Sequence, residues 1–434
     1  MAEDKLALFG GIPVNTEPWP ESNTIGAEER AAVLEVLDSG VLSGFRAVPG
    51  DDFLGGPQVR HLESEWAAYF GASNAVSFNS LTSGLFAAVG AARIGPGDEV
   101  IVTPFSMAAS VTCVVAYGGI PVFADVDPKS YCLDPRSVEA RITPRTRAIV
   151  VVHLFGYPAD MDAIMAIATR HHLTVIEDCA QAPAGRFKGR YVGTIGHIGG
   201  FSLNRHKTIQ AGEGGMMITE DPELAVRMQL IRNHGEVIVG EMDIDDVANT
   251  FGGNTRMTEL EAAVSRQQLR KLDWLNDARI SLAEHLDGAL DGIPGIAPQR
   301  LRNEGDRHVY YLYVMHYDAD AVGLPRDLFV EAVRAEGIEL RAGYVKPIYL
   351  EPMFQRKRAF TAGQFPFVSE FHDARVTYEK GLCPVTEAAF ECELIFGSFV
   401  RWPLTDSHMD QIATAFRKVI ANGEELLAAR KPQS

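Results

Sequence analysis

The sequence predicts an α/β fold with a mainly parallel sheet, followed by a smaller α+β domain. Short apolar segments alternate with helix-like segments through the first two thirds of the chain, and turn-forming residues such as Gly95-Pro96-Gly97 separate them. Buried strands that alternate with helices are typical of a parallel sheet covered on both faces. The 434 residues are enough for two or three domains of about 100–200 residues each. In such a fold the chemistry is expected at the carboxyl ends of the strands.

The first strands of the sheet are predicted from residue 74 onward. Residues 74–79 (NAVSFN) predict a strand, and the small apolar residues after them predict a helix that runs to Ala91. Residues 99–103 (EVIVT) and 121–125 (PVFAD) predict two further buried strands.

The same alternation continues along the chain. Residues 148–154 (AIVVVHL) and 173–177 (LTVIE) predict strands, with a helix over 161–171 between them. Residues 258–290 are rich in Leu, Ala, Glu, Arg and Lys at helical spacing and predict one long helix.

The long helix divides the chain. We expect a large domain over residues 1–270 and a small C-terminal domain over 271–434. In the small domain, residues 309–314 and 338–341 predict strands.

Composition excludes several classes of protein. Lys and Arg number 40 against 57 Asp and Glu, a net charge of −17, which argues against binding to nucleic acids or anionic membranes. The five cysteines include no C-x-x-C pair, so neither a disulfide framework nor a zinc knuckle is predicted. The chain shows no signal peptide and no apolar run near the ~18 residues that span a bilayer. These observations predict a soluble, reduced, cytoplasmic protein.

Lys207 is the first candidate for chemistry. It lies in an apolar, glycine-rich segment, residues 200–215 (GFSLNRHKTIQAGEGG), although lysine normally seeks water. One interpretation is a surface lysine beside a tight turn. The other is a desolvated lysine whose lowered pKa makes its amine reactive toward an aldehyde, as pyridoxal phosphate (PLP) enzymes require.

Two further segments carry polar groups at the ends of predicted strands. Asp178 follows an apolar strand, where it either caps a helix or pairs with a pyridine nitrogen, the partnership that accompanies a reactive lysine in PLP sites. Residues 79–85 (NSLTSGL) are small and hydroxylic between a strand and a helix. They either cap that helix through Ser80 or Thr82 or form an anion site suited to a phosphate.

The three segments, in this order and spacing, resemble the DegT/DnrJ/StrS family of PLP-dependent sugar aminotransferases. The interval from Ser202 to Lys207, followed by residues 212–215 (GEGG), is highly specific to that family. Other segments share the likeness: 95–102 (GPGDEVIV), 121–127 (PVFADVD), 142–146 (ITPRT), 152–156 (VHLFG) and 254–259 (NTRMTE). The resemblance implies the fold type I, aspartate aminotransferase-like architecture, with a seven-stranded, mainly parallel sheet in the large domain.

The resemblance also implies roles for the residues around the cofactor ring. Lys207 would bond the PLP aldehyde and then move a proton between carbon atoms. Asp178 would bind the ring nitrogen, and Gln181 would lie beside the ring near its phenolic oxygen.

The phosphate would be held from two subunits. The backbone amide of Leu81, with Thr82 and Ser202, would bind it within one chain. Asn254 resembles the asparagine that reaches the phosphate from the neighbouring subunit, which implies an obligate homodimer with shared active sites.

The chain departs from the family at several positions. Leu81 stands where the family usually has glycine. Met107 stands where an aromatic residue commonly covers the ring, so it either packs on the ring or is a core methionine. Residues 45–54 look like an insertion, interpreted as a solvated loop or as part of the substrate mouth. Tyr344 lies where the small domain approaches the substrate, and we expect a structural role for it.

The predicted reaction is transamination from L-glutamate or L-glutamine to a keto-sugar, nucleotide-linked in the first interpretation. A keto-cyclitol of the scyllo-inosose type is the alternative acceptor. Sugar dehydration with the pyridoxamine form of the cofactor is disfavoured, because that branch of the family has histidine in place of Lys207. A non-catalytic PLP-binding regulator is the alternative from another class.

Overall fold

The computed structural model describes residues 5–242, 244–361, 363–372 and 376–430. The strands in this part of the chain are β1 (Asn74–Phe78), β2 (Glu99–Val102), β3 (Ile120–Phe123), β4 (Thr146–Val152), β5 (Thr174–Asp178), β6 (Arg186–Phe187), β7 (Arg190–Tyr191), β8 (Ile198–Ser202), β9 (Gly215–Thr219), β10 (Ile296–Pro298), β11 (Tyr313–Tyr317), β12 (Arg341–Ala342) and β13 (Leu394–Gly397).

The helices flank these strands along the chain. They are α1 (Ala27–Ser39), α2 (Pro57–Phe70), α3 (Leu81–Ala91), α4 (Ala109–Ala116), α5 (Pro135–Ala140), α6 (Met161–His171), α7 (Pro222–Arg232), α8 (Gly235–Ile238), α9 (Glu259–Leu269), α10 (Leu272–Leu290), α11 (Ala319–Val322), α12 (Arg326–Ala335), α13 (Pro352–Gln355), α14 (Pro384–Ala388), α15 (Asp406–Ala421) and α16 (Gly423–Arg430). Among the described residues, no helix is both long enough and apolar enough to span a bilayer.

A seven-stranded sheet forms the centre of the molecule, in the order β1-β9-β8-β5-β4-β2-β3. The neighbours from β8 to β3 pair in parallel, whereas β9 runs antiparallel to both β8 and β1. A second sheet of four antiparallel strands has the order β10-β11-β13-β12. The predicted architecture, a mainly parallel seven-stranded sheet plus a smaller α+β part, is confirmed.

The large sheet is apolar on both faces because each face is covered by helices. Along β4, Ile149 and Val151 pack into one core with side chains of α2 and α6, while Ala148 and Val150 pack into the opposite core with α3 and α4. This alternation follows from the two-residue period of a strand. It explains why the sequence of β4 reads as a continuous apolar run.

A further core lies among the residues of the four-stranded sheet, α10, α12 and α15. Leu6 is buried in this core, and Glu336 accepts hydrogen bonds from the amides of Ala7 and Val14 at 2.9 and 3.1 Å. The N-terminal segment therefore packs against C-terminal elements. The division of the chain at residues 270 and 271 stays a prediction.

The prediction of one continuous helix over residues 258–290 is wrong, because α9 ends at Leu269 and α10 begins at Leu272. Gln268 and Lys271, on either side of the break, bind Thr24 and Glu29 near the N-terminus. These contacts join residues more than 200 positions apart, so helical spacing alone could not reveal them.

The two strands predicted in the small domain are displaced. The strand predicted at 309–314 starts later and is observed as β11, Tyr313–Tyr317. The residues before it contact the segment after β4, where the Val309 and Leu312 amides donate hydrogen bonds to the carbonyl oxygens of Gly156 and Phe155 at 3.0 and 3.4 Å. The strand predicted at 338–341 is reduced to β12.

The insertion at residues 45–54 is anchored at both ends, unlike a freely solvated loop. Phe45 and Phe53 are buried. The Asn233 side-chain amide donates hydrogen bonds to the carbonyl oxygens of Arg46 and Phe53 at 3.1 and 3.2 Å. Between these anchors, Arg46 and residues 48–52 are exposed.

Glu177 joins neighbouring parts of the sheet from a fully buried position in β5. Its carboxylate accepts hydrogen bonds from the amides of Gly193 and Ile195, both at 2.8 Å, and lies 2.9 Å from His153 Nε2. His153 Nδ1 accepts the Ala159 amide at 3.0 Å, so the ring proton lies on Nε2 and His153 is a satisfied core histidine. Burial raises the pKa of the Glu177 carboxyl, but the hydrogen bonds outweigh it and the pKa lies below its ordinary 4.5.

We expect Glu177→Gln to lower the free energy of unfolding by about 2–4 kcal/mol at pH 7, because the amide NH2 would face N–H donors. Since the folded-state pKa is depressed, this stabilisation is present above pH 4.5 and is lost as the pH falls through the folded-state pKa. In denaturant titrations, the difference in the free energy of unfolding between the parent and Glu177→Gln should therefore become smaller below pH 4.5. Exposed Glu304 provides the control, Glu304→Gln. An equal effect of both substitutions would contradict the prediction.

Candidate active site

Asp178 is the last residue of β5 and points from the carboxyl edge of the sheet. It pairs with Val152 of β4 on one side and Gly200 of β8 on the other. Its buried carboxylate accepts hydrogen bonds from Ser110 Oγ at 2.7 Å and from the Ala180 amide at 3.0 Å. No helix begins at this position, so the helix-cap interpretation is wrong. The two donors instead hold the carboxylate in one orientation.

Lys207 lies in the loop that connects β8 and β9. The loop closes on itself, because the Leu203 amide donates to Gly214 O and the Arg205 amide donates to Gly212 O, both at 2.9 Å. Gly212 has φ 85°, a conformation in which a side chain would be strained. Lys207 lies within this closed loop.

The Lys207 amine is shielded from water and lies in the field of Asp178. Burial lowers the pKa of this amine to about 8, while the negative charge of Asp178 acts in the opposite direction. The amine lies 4.6 Å from the centroid of the Tyr311 ring. The residue as a whole is half-buried, so it is not the fully exposed lysine of the surface interpretation.

The N-terminus of α3 lies beside the end of β8. Ser80 caps the helix, since its Oγ accepts the Ser83 amide at 3.1 Å. The amides of Leu81 and Thr82, in the first turn, have no acceptor within the helix. Ser202 pairs with Gly215, and a Cβ on Gly215 would lie 2.3 Å from the Leu81 nitrogen. Helix amides and the Ser202 hydroxyl thus meet in one place, an arrangement suited to a phosphate.

Leu81 fits this arrangement although it stands in place of a glycine. A Cβ on Gly200 would lie 2.7 Å from Leu81 Cδ1, so the leucine side chain fills the space above Gly200 and belongs to the core. Only its backbone amide is available at the helix terminus.

Gln181 connects the sheet edge to the segment after β12. Its Oε1 accepts the Phe155 amide at 2.6 Å, and its Nε2 donates to Tyr344 Oη at 2.9 Å. The Tyr344 ring packs edge-on against Phe105 and Phe155 at centroid distances of 5.6 and 4.8 Å. Burial raises the pKa of Tyr344, so its hydroxyl stays protonated. Tyr344 was expected to be structural only; it also bonds a candidate cofactor residue.

Three candidate residues lie at the surface of the single chain. Met107 is 70% exposed, which excludes the core-methionine interpretation and leaves the side chain free to cover a ring. Thr82 and Asn254 are also exposed. The segment that carries Asn254 is held beside the end of β1, because the Asn79 amide donates to Thr255 O at 2.9 Å.

Sequence reasoning missed two residues of the site, Ser110 and Tyr311. Ser110 lies in α4 and reaches Asp178 only because α4 packs against the sheet. Tyr311 lies in a stretch that reads as a strand. Neither residue belongs to a recognisable motif. His206, the neighbour of Lys207 in sequence, is exposed, and its Nε2 accepts a hydrogen bond from Arg205 Nε.

We expect Gly215→Ala to weaken the affinity for PLP by roughly tenfold or more, because the new methyl group would displace the Leu81 amide. Equilibrium titration of cofactor-free protein with PLP measures the effect. Gly288→Ala in α10, where a Cβ meets open space, is the matched control and should bind PLP like the parent. Unchanged affinity in Gly215→Ala would place the phosphate elsewhere.

Comparison with known proteins identifies the family of the chain. A profile of the DegT/DnrJ/EryC1/StrS aminotransferase family matches residues 23–381. An L-glutamine:2-deoxy-scyllo-inosose aminotransferase from Streptoalloteichus tenebrarius is 36% identical over 98% of this chain and 99% of that protein. An L-glutamine:scyllo-inosose aminotransferase from Streptomyces griseus is 34% identical over 98% and 99%.

Solved structures agree with the sequence comparison. The crystal structure of DesI in the presence of its TDP-sugar product matches with a TM-score of 0.79 and 28% identity, covering 99% of both chains. The chain belongs to the DegT/DnrJ/EryC1/StrS aminotransferase family and is a PLP-dependent aminotransferase.

Proposed function

We propose that this enzyme transfers the amino group of L-glutamine to the ketone of a cyclitol of the scyllo-inosose type. The observation that carries the proposal is similarity to two L-glutamine:keto-cyclitol aminotransferases over 98% of the chain. A keto-sugar linked to a nucleotide is the second candidate acceptor, favoured by the likeness to DesI. L-Glutamate is the alternative donor.

The geometry supports specific roles around the cofactor. When bound, PLP supplies an aldehyde carbon to which the amino group is transferred and a ring that accepts electrons from the donor. Asp178 would keep the ring nitrogen protonated, since its carboxylate is buried and oriented by Ser110 and Ala180. Gln181 would lie beside the ring, and Met107 would cover one face of it.

The phosphate would be held at the N-terminus of α3. The Leu81 amide, the Thr82 hydroxyl and Ser202 are the groups available there within one chain. The partial positive charge of the helix N-terminus favours an anion at this place.

Lys207 is the group proposed to move protons. An amine with a pKa of about 8 is partly neutral near pH 7.5, so the same group can take up a proton and give it back. Because Lys207 is a lysine and not the histidine of the dehydrating branch, transamination is favoured over dehydration. Lys207, Asp178 and the phosphate cradle are present together, which argues against a non-catalytic regulator.

We also propose a homodimer with shared sites. Apolar side chains stand exposed on the single chain in and just after α1 (Leu34, Leu37, Val41 and Leu42), and Phe251 is exposed near Asn254. Burial of such side chains against a second copy would remove them from water. Asn254 would then reach the phosphate of the partner. The cytoplasmic location stays a prediction.

Lys207→Ala should abolish the visible absorbance of the bound PLP and reduce turnover by at least 1000-fold, an order typical of losing the group that transfers the proton. Turnover is measured with keto-cyclitols and nucleotide-linked keto-sugars, each with L-glutamine or L-glutamate. Lys129→Ala, at an exposed lysine, is the control. Turnover retained by the Lys207 variant would reject the assignment, and activity only on nucleotide sugars would reject the cyclitol.

A hybrid of Lys207→Ala and Asn254→Ala subunits should regain activity that neither variant has alone. If Asn254 acts on the partner's site, one site of the hybrid carries both changes and the other carries none. The expected activity is about half that of the parent dimer per hybrid, since one of two sites is intact. Differently tagged subunits, co-expressed and purified through both tags, give this measurement. No recovery would place Asn254 in its own subunit's site.

A further inference from the structure

Tyr311 lies against the amine of Lys207, in a stretch of chain that precedes β11. The amine stands 4.6 Å from the centroid of the ring, within the ~6 Å at which an aromatic face attracts a cation. The two residues are more than 100 positions apart in sequence. Tyr311 is only partly exposed, so water competes weakly for the amine at this face.

The backbone of Tyr311 is held from two sides. On one side it passes so close to Gly156 that a Cβ there would lie 2.8 and 2.9 Å from the nitrogens of Tyr310 and Tyr311. On the other side Arg279 Nη1 of α10 donates to Tyr310 O at 3.0 Å and to Val400 O at 3.4 Å. The backbone around Tyr311 is therefore held by contacts that do not involve Lys207.

Among the charged and titratable groups around the amine, Asp178 favours the positive form, but this effect is smaller than the opposing effect of burial. Burial raises the pKa of Tyr311 and of Tyr344, so both hydroxyls are neutral near pH 7. Arg279 is positive and interacts with Tyr311. The ring face is thus a source of attraction for the ammonium that brings no formal charge into the site.

We propose that Tyr311 is a positioning residue whose ring holds the free amine of Lys207 while that amine is not bonded to the cofactor. The inference rests on the proposed function, in which Lys207 takes the proton from the donor's Cα. The C–H bond breaks, the proton converts the amine to an ammonium, and the electron pair of the bond is taken up by the ring of the bound cofactor. The ring then attracts this ammonium and keeps it within reach of the carbon to which the proton is delivered.

The test compares Tyr311→Phe, which keeps the aromatic face, with Tyr311→Leu, which removes it. Each full-length protein is loaded with pyridoxamine phosphate, the form in which Lys207 is free. The rate at which a lysine-specific acylating reagent labels Lys207 is followed against pH by mass spectrometry. Because the ring stabilises the charged form, its loss should lower the pKa of the amine.

We expect the acid dissociation constant of Lys207 to rise about three- to tenfold in Tyr311→Leu. This is the change expected when the charged amine loses the stabilisation of a cation–π contact in a partly shielded site. Tyr311→Phe should match the parent. Single turnovers with L-glutamine and with α-deuterated L-glutamine follow the proton transfer itself. In Tyr311→Leu we expect the rate to fall about tenfold and the ratio of the rates with the two substrates to increase. The KM should stay similar. Tyr311→Met serves as the ring-free variant if Tyr311→Leu does not fold.

Two results would overturn the proposal. A pKa in the ring-free variant equal to that of the parent would show that the ring does not hold the ammonium. An equal shift in Tyr311→Phe and Tyr311→Leu would assign the effect to the hydroxyl. The labelling measurement uses added pyridoxamine phosphate and therefore does not require that the enzyme accept L-glutamine or L-glutamate. A negative labelling result can thus be distinguished from a failure of the proposed amino transfer.

Discussion

The pairing of β8 with β5 on one side and β9 on the other brings together the groups of the active site. Register places Asp178 opposite Gly200 and Ser202 opposite Gly215. Small residues are needed at these positions, because a Cβ on Gly200 would strike Leu81 and a Cβ on Gly215 would strike the start of α3. The close approach of α3 to the sheet is what brings a helix N-terminus to the carboxylate and the lysine loop.

Burial and charge act against each other at Lys207, and the balance makes the amine useful. Complete desolvation without compensation would keep the amine neutral, and a strong ion pair would keep it charged. Asp178 compensates only in part, because the effect of burial on the pKa of the amine is the larger of the two. The result is an amine whose two protonation states differ little in free energy near neutral pH.

Tyrosines from the C-terminal part of the chain contact two of the candidate site residues. Tyr344 reaches Gln181 through a hydrogen bond, and Tyr311 reaches Lys207 through its ring. The Tyr344 ring packs against the Phe155 ring. The backbone on either side of Tyr311 is hydrogen-bonded to residues 155 and 156, which follow β4. The segment after β4 therefore contacts Gln181 as well as the segments that carry the two tyrosines.

The alternation of strands and helices could be predicted from the sequence, because apolar periodicity and turn residues act over short stretches of chain. The cofactor could be predicted as well, because Lys207, Asp178 and residues 79–85 resemble one family in their order and spacing. The break between α9 and α10, the anchoring of residues 45–54, and the places of Ser110, Tyr311 and Tyr344 became visible only in the folded chain. These depend on contacts between residues far apart in the chain, such as Lys271 with Glu29, and the free energy of such contacts leaves no trace in local sequence pattern.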